Sequence, residues 1–315
     1  MTTPLEPPDA PSERPVSGRP GRKLGPITSS VGSAHRAWLE PVRERYLGSG
    51  LTLSELSVRI MFAKSKLSEL LRGIGLYPRW EAVQGLAREL GLPSWPLYRL
   101  WRQAAFEAHK SSARVERCSE NSTLSTAPTA PPLAHLAYRE LVGDDCTGYA
   151  QVFLSDDQSD YAVSDTFDIL WLCWNDALAS PDLRRFAWEV LRATVLAKTP
   201  HLDGRPQFGT AAFDTAILQS LPAADHMDQI AESMELFNAM SRLPDHQLDV
   251  MVLRRLRGHC EEQTSALLGV SRATVRSDER HAVRFLESIL CPPETEQDDE
   301  QSPLYPPPEI EGNIE

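Results

Sequence analysis

Three arginines near the C-terminal end of the chain recur at a spacing of four residues: Arg272, Arg276 and Arg280. Residues four apart lie on one face of a helix, so the three guanidinium groups project from the same side. A guanidinium group binds phosphate oxygens and the acceptor edge of guanine. Together with Ala273 and Thr274, these arginines form a predicted DNA-contacting set.

The elements that must position this set are two short helices joined by a tight turn. The first helix is predicted over residues 261–268, and Gly269 supplies the positive φ that such a turn requires. Ser271 is placed to cap the second helix by accepting a hydrogen bond from a backbone N–H. Val275 faces inward. This layout predicts a helix-turn-helix whose second helix enters the major groove with its N-terminal end first.

Residues 243–290 resemble the region of bacterial sigma factors that recognises the promoter −35 element, especially in the small extracytoplasmic-function type. The resemblance implies binding to double-stranded DNA and to the RNA polymerase core. It is carried by Leu243-Pro244, Val252-Leu253-Arg254, Gly258, Leu268-Gly269-Val270-Ser271, Thr274-Val275 and a long last helix with Arg284 and Leu286.

Four positions depart from that family's pattern. Thr264 and Ser265 stand where an apolar pair usually packs the first helix. Asp278 and Glu279 stand where a basic and an apolar residue are usual. If these acids lie against the DNA backbone, they oppose the release of counterions that dominates affinity for DNA. The sequence therefore predicts that replacing them raises the affinity, unless this helix faces a protein partner.

Residues 36–110 contain a second helix-turn-helix pattern. Thr52 and Glu55 form a capping box, Gly91 stops a later helix, and Ser94 is predicted to cap the last one. The block resembles the lambda-repressor-like domain of regulators in high-GC bacteria. The resemblance implies DNA binding, with protein contact as the alternative, and the residues it presents are Lys64, Ser65, Lys66, Ser68 and Arg72.

Residues 133–222 are predicted to be helical, and they resemble, in degenerate form, the sigma-factor domain that binds polymerase and opens the −10 element. The resemblance assigns polymerase docking to Asp165, Phe167, Leu170 and Trp171. Opening a duplex needs exposed aromatic side chains on which bases stack. Phe186 and Trp188 fit that role, and burial of both in a helical core is the alternative.

The charge of the chain, −12 in total, is unevenly spread. Residues 36–110 carry a net +5, residues 133–222 carry −7 and residues 223–291 carry −3. The composition predicts a disordered leader over residues 1–35 and a flexible linker over 111–132, which would let the first block move independently. It also predicts a disordered, Pro-rich tail over 292–315 with a net −8, which either solubilises the chain or mimics nucleic acid.

The sequence contains no motif for metal binding, for catalysis or for insertion into a membrane. The five cysteines are scattered and the histidines lack metal-ligand spacing, so neither a metal nor a cofactor is expected. No phosphate loop, nucleophile elbow or metalloprotease motif is present, so the chain is not expected to be an enzyme. No apolar run approaches the roughly 20 residues that span a bilayer, and no signal segment opens the chain, so a cytoplasmic location without membrane contact is expected.

The sequence predicts an all-α, multi-domain transcription protein from a bacterium, with an oligomeric state that it does not reveal. Three functions remain open. The first is an initiation factor that directs polymerase to selected promoters. The second is a DNA-binding regulator that does not act as a sigma factor. The third is a protein-interaction adaptor that keeps these folds and has lost DNA recognition.

Overall fold

The computed structural model describes residues 24–113, 115–116, 130–210, 212 and 226–291. About 72% of the structure is helical and almost none of it is sheet, which confirms the predicted all-α class. The only strands within the described ranges are β1 (His201–Leu202) and β2 (Arg205–Pro206), which pair antiparallel. Residues 1–23 of the predicted leader and most of the predicted linker lie outside the described residues. The whole predicted tail also lies outside them.

Within residues 24–110, the N-terminal unit contains five helices. Thr52 and Glu55 form the predicted capping box, since the Thr52 hydroxyl accepts the Glu55 N–H at 3.2 Å and Glu55 accepts the Thr52 N–H at 2.8 Å. Gly91 ends the fourth helix at φ 65°. Ser94 does not cap the last helix, because it is already the first helical residue. The helices are α1 (Ser33–Gly48), α2 (Leu53–Arg59), α3 (Lys64–Leu71), α4 (Trp80–Leu90) and α5 (Ser94–Glu107).

Residues 24–35 belong to the N-terminal unit, so the predicted boundary of the leader at residue 35 is wrong. The guanidinium group of Arg43 donates to the carbonyl of Gly25 at 2.7 Å, and the N–H of Thr28 donates to the carbonyl of Arg72 at 3.0 Å. Leu24 and Ile27 pack against the apolar core of the unit. Burial of these apolar side chains holds the segment against α1 and α3.

The middle and C-terminal units share one apolar core, which extends from Val142 to Leu286. The supporting helix of the C-terminal unit, Asp245–Met251, continues into a π-helical turn, Val252–Leu256. The middle helices are α6 (Leu133–Gln151), α7 (Asp156–Leu172), α8 (Trp174–Ala179) and α9 (Leu183–Lys198). The C-terminal helices are α10 (His226–Met240), α11 (Asp245–Met251), α12 (Glu261–Leu268) and α13 (Arg272–Leu290).

The N-terminal unit packs on the middle unit, in contrast to the independent movement that the linker composition predicts. Leu172 of α7 is buried in the N-terminal core and Ile169 packs against it. On the same face of α7, Arg99 of α5 donates to Ser164 at 2.6 Å and lies 3.3 Å from the carboxylate of Asp168. Apolar burial and this ion pair therefore join the two units.

No helix in the part of the chain that the structure describes is long and apolar enough to cross a membrane.

Candidate nucleic-acid interface

The C-terminal helix-turn-helix is built from local interactions that the sequence predicts. Gly269 ends α12 at φ 63°, where an L side chain would be strained. The hydroxyl of Ser271 accepts the N–H of Thr274 at 3.1 Å and so caps α13. Val275, which follows Thr274 in the first turn of α13, is fully buried. The cap and the buried valine together fix which face of α13 points to solvent.

Two polar residues stand in α12 where apolar packing is usual, and the structure treats them differently. The hydroxyl of Ser265 donates to the carbonyl of Val270 at 2.6 Å and thereby braces the turn. Thr264 is fully buried, and its Oγ1 has no hydrogen-bond partner among the described residues. A buried hydroxyl without a partner lowers stability. The helix-turn-helix therefore folds in spite of Thr264 and with the help of Ser265.

The predicted DNA-contacting set of α13 forms one exposed surface. All five members are exposed to solvent on the N-terminal half of the helix: Arg272, Ala273, Thr274, Arg276 and Arg280.

Two of the exposed arginines have acidic neighbours on α12. Arg272 forms an ion pair with Glu262, and Nε of Arg276 lies 3.4 Å from Oε1 of Glu261. Both pairs are largely exposed, and such pairs contribute only about 0–1 kcal/mol. A phosphate can therefore replace either glutamate at small cost.

Asp278 and Glu279 do not belong to the exposed surface, which corrects the expectation that they lie against DNA. Glu279 is 13% exposed, and its carboxylate lies 3.2 Å from Nε of Arg254 and 2.9 Å from Nη2 of Arg255. Asp278 is 14% exposed and lies 3.6 Å from Nε2 of His246. Both acids point back to the supporting helix, where two arginines compensate the charge of Glu279.

A buried polar network joins the C-terminal unit to the middle unit. The carboxylate of Asp249 on α11 accepts hydrogen bonds from the Tyr149 hydroxyl at 2.7 Å, the Trp188 indole at 2.8 Å and Nε of Arg192 at 3.2 Å. Arg192 also donates to Asp245 at 2.8 Å. These contacts connect α6, α9 and α11.

Charge and burial oppose each other within this network. Burial raises the pKa of the Tyr149 hydroxyl, and the adjacent Asp249 raises it further. Burial lowers the pKa of Arg192, but the carboxylates of Asp249 and Asp245 outweigh it and raise this pKa overall. Arg192 is therefore held as a cation at the contact between the two units.

Further contacts join the C-terminal unit to the middle unit. The guanidinium group of Arg257 lies against Gly148 of α6, where a Cβ would collide with it. Nε2 of His259 lies 3.5 Å from the carboxylate of Asp145. Gly269, at the helix-turn-helix turn, approaches the backbone of Arg185 at the start of α9 so closely that a Cβ would not fit. The C-terminal unit is thus seated on α6 and α9.

The aromatic side chains assigned to base stacking are engaged in this packing. Trp188 is 7% exposed, and its ring lies 4.7 Å from that of Tyr149. Phe186 is half-buried against the shared core. The structure therefore agrees with the alternative of burial, which leaves no aromatic platform on α9 in this conformation.

The four residues assigned to polymerase docking differ in their exposure to solvent. Asp165, Phe167 and Leu170 are buried, and Asp165 forms an ion pair with Lys198 at 2.9 Å. Trp171 is half-buried at the surface. Docking through these four residues stays a prediction, to which this conformation offers only Trp171 as a contact.

In the N-terminal unit, Lys64, Ser65 and Lys66 are exposed at the start of α3. Lys64 donates to the hydroxyl of Ser54 at 2.7 Å and Lys66 pairs with Glu69 at 2.7 Å. The structure does not bring all five predicted residues to one surface.

Ser68 and Arg72 are half-buried. The guanidinium group of Arg72 lies beneath Gly25, and its Nε has no hydrogen-bond partner within the described ranges. Arg72 is therefore turned away from Lys64 and Lys66.

Sequence reasoning left three arginines of the C-terminal site out of the DNA-contacting set: Arg254, Arg255 and Arg284. They line one groove with Arg276 and Arg280. For Arg284 the signal was present, since it continues the four-residue spacing of Arg276 and Arg280. Arg254 and Arg255 come from another helix, so only the tertiary structure brings them to the groove.

These features define a helix-turn-helix unit of the DNA-binding type. Residues 239–287 match the family described as Sigma-70, region 4, which is a DNA-binding region of sigma factors. The match covers a minority of the chain and confirms the resemblance for its C-terminal unit. No curated protein and no solved structure matches the chain.

Proposed function

We propose that this protein is a sigma-like transcription factor that directs RNA polymerase to selected promoters through α13. The observation that carries the proposal is the exposed row of Arg272, Arg276 and Arg280 on the N-terminal half of that helix. A helix that enters the major groove by its N-terminal end places these side chains at base edges and phosphates.

The inward orientation of Asp278 and Glu279 supports DNA recognition over the adaptor hypothesis. Those acids, together with the net −7 of residues 133–222, favoured the adaptor. Their carboxylates instead meet His246, Arg254 and Arg255. The surface that faces away from α11 is then dominated by cations, as binding to phosphates requires.

The N-terminal unit is proposed to add a second contact with duplex DNA. Lys64 and Lys66 are exposed at the start of α3, and residues 36–110 carry a net +5. Lysine contacts to phosphates carry no sequence information. Changing both lysines to alanine should therefore weaken binding about equally on all sequences and reduce its salt dependence.

A second candidate, a DNA-binding regulator that does not act as a sigma factor, is favoured by the junction between the two units. Trp188 and Arg192 on α9 are both bonded to Asp249 of the C-terminal unit. While Trp188 is bonded to Asp249, its ring cannot stack on the bases of an opened DNA strand. Stacking would first require the C-terminal unit to separate from α9. A regulator needs no such separation.

Transcription in vitro distinguishes the two candidates. Genomic fragments that the purified protein enriches serve as templates, with either core polymerase alone or polymerase that already carries a primary sigma factor. Initiation with core polymerase alone supports the sigma-like role, and a response only with the complete polymerase supports the regulator.

Matched variants test the contribution of α13. Arg276→Ala should reduce DNA binding and transcription together, whereas Arg184→Ala, at an exposed arginine of α9, should change neither. A protein that binds no DNA and still captures polymerase would support the adaptor instead.

A further inference from the structure

A groove of about 860 Å³ runs along α13, between this helix and the π-helical turn of the supporting helix. Five arginines and two glutamates supply its charged lining, so the groove has an excess of positive charge. They are Arg254, Arg255, Arg276, Arg280, Arg284, Glu279 and Glu287.

The positive charge of the groove is concentrated on its α13 side. Glu279 pairs with both arginines of the π-helical turn and so compensates one of their two charges. Arg276 has Glu261 at 3.4 Å in an exposed pair. Arg280 and Arg284 are exposed, and no carboxylate among the described residues forms an ion pair with either. This row of cations is therefore available to an anionic ligand.

The chain itself carries a matching anion. Residues 292–315 follow α13 directly and contain eight acidic residues and no basic residue. Five of the eight fall within residues 294–300. No other stretch outside the described ranges has a comparable excess of acids. The helix α13 ends at Leu290, and Pro292 and Pro293 follow Cys291 directly in the sequence.

The arginines lie at increasing distances from the point where the acidic segment begins. A helix rises 1.5 Å per residue, so Arg284, Arg280 and Arg276 lie about 9, 15 and 21 Å along the axis from Leu290. An extended chain advances about 3.3 Å per residue. A segment that doubles back along α13 therefore needs roughly three, five and seven residues to reach them.

The acids occur at the matching intervals. Glu294 is three residues beyond Cys291, Glu296 is five beyond it, and the run 298–300 begins seven beyond it. The run of acids over residues 294–300 is therefore long enough to lie along the row of arginines. A segment attached to its own site also has an effective concentration in the millimolar range, which compensates for weak individual ion pairs.

We propose that the acidic segment 292–315 binds the arginine groove of α13 and competes there with duplex DNA. The competition rests on the proposed function, because the same arginines are assigned to phosphates. Binding of the segment to the groove does not depend on that assignment. Salt weakens both interactions, since both are ion pairs at an exposed surface.

Charge-matched variants of the full chain test the competition. The near variant is Asp298→Asn, Asp299→Asn and Glu300→Gln, and the far variant is Glu309→Gln, Glu311→Gln and Glu315→Gln. Each removes three charges. Fluorescence anisotropy on duplex DNA at low salt should show the near variant binding about threefold tighter or more, with a smaller gain for the far variant. Equal gains would mean that only net charge matters, and would overturn the proposal.

A second measurement tests the groove without DNA. A labelled peptide of residues 292–315 is titrated with a chain that ends at Cys291. The peptide should bind, and the double change Arg280→Ala and Arg284→Ala should weaken binding about threefold or more. The control Arg184→Ala with Arg185→Ala, at exposed arginines of α9, should leave binding unchanged.

The two measurements separate the possible failures. Peptide binding to a chain that does not bind DNA would contradict the proposed function and leave the groove as the peptide's site. DNA binding without peptide binding, or peptide binding that is indifferent to Arg280 and Arg284, would overturn the present inference alone.

Discussion

Asp249→Ala should detach the C-terminal unit from the middle unit. The change leaves the Tyr149 hydroxyl, the Trp188 indole and the Arg192 guanidinium without their common acceptor. Tyr149 is fully buried and Trp188 is 7% exposed, so water cannot readily replace the carboxylate. Breaking a buried ion pair by removing one partner costs about 3–5 kcal/mol. That loss is a large share of the roughly 5–15 kcal/mol that stabilises a typical domain.

Asp245→Ala is the matched control, because Asp245 also pairs with Arg192 but its side chain is 78% exposed. Its loss should cost no more than about 1 kcal/mol. Urea denaturation of the full chain measures both changes. Hydrogen exchange should show that Asp249→Ala increases exchange in α9 and α11 first. A loss for Asp249→Ala as small as that for Asp245→Ala would refute the contribution of this buried network to the contact between the units.

Three further predictions concern single residues. Thr264→Val should raise the free energy of unfolding by about 1 kcal/mol in urea denaturation, because the change removes a buried hydroxyl with no partner among the described residues; a decrease would mean that the hydroxyl is bonded. Glu279→Leu should lower that free energy by about 1–2 kcal/mol, because Arg254 loses its carboxylate; unchanged stability together with tighter DNA binding would restore the view that the acid faces DNA. Burial raises the pKa of Asp168 from its ordinary 3.8 to about 7, although Arg99 opposes this. Because the folded state holds this proton more tightly than the unfolded state, stability should fall as the pH rises from about 4 to about 7. Asp168→Asn should flatten that dependence in thermal melts, and an unchanged slope would assign it to another group.

The exposed arginine face of α13 was predictable from the sequence because it depends on one helix. The spacing of Arg272, Arg276 and Arg280 fixes their common face once α13 forms, and Ser271 fixes where it begins. The same periodicity did not determine the roles of Asp278 and Glu279. Their positions on a helical wheel are compatible with contact to DNA or to another helix, and the choice depends on the supporting helix.

The helix ends were set by the sequence itself, since each depends on residues within a few positions of one another. The capping box of Thr52 and Glu55 spans three residues, and Gly269 needs only its own φ. Only the tertiary structure decided what the helices bury. Glu279 meets Arg254, 25 residues away, and Trp188 meets Asp249, 61 residues away. Nothing in local chain geometry selects such partners, because their proximity exists only after the units have packed and water has been excluded between them.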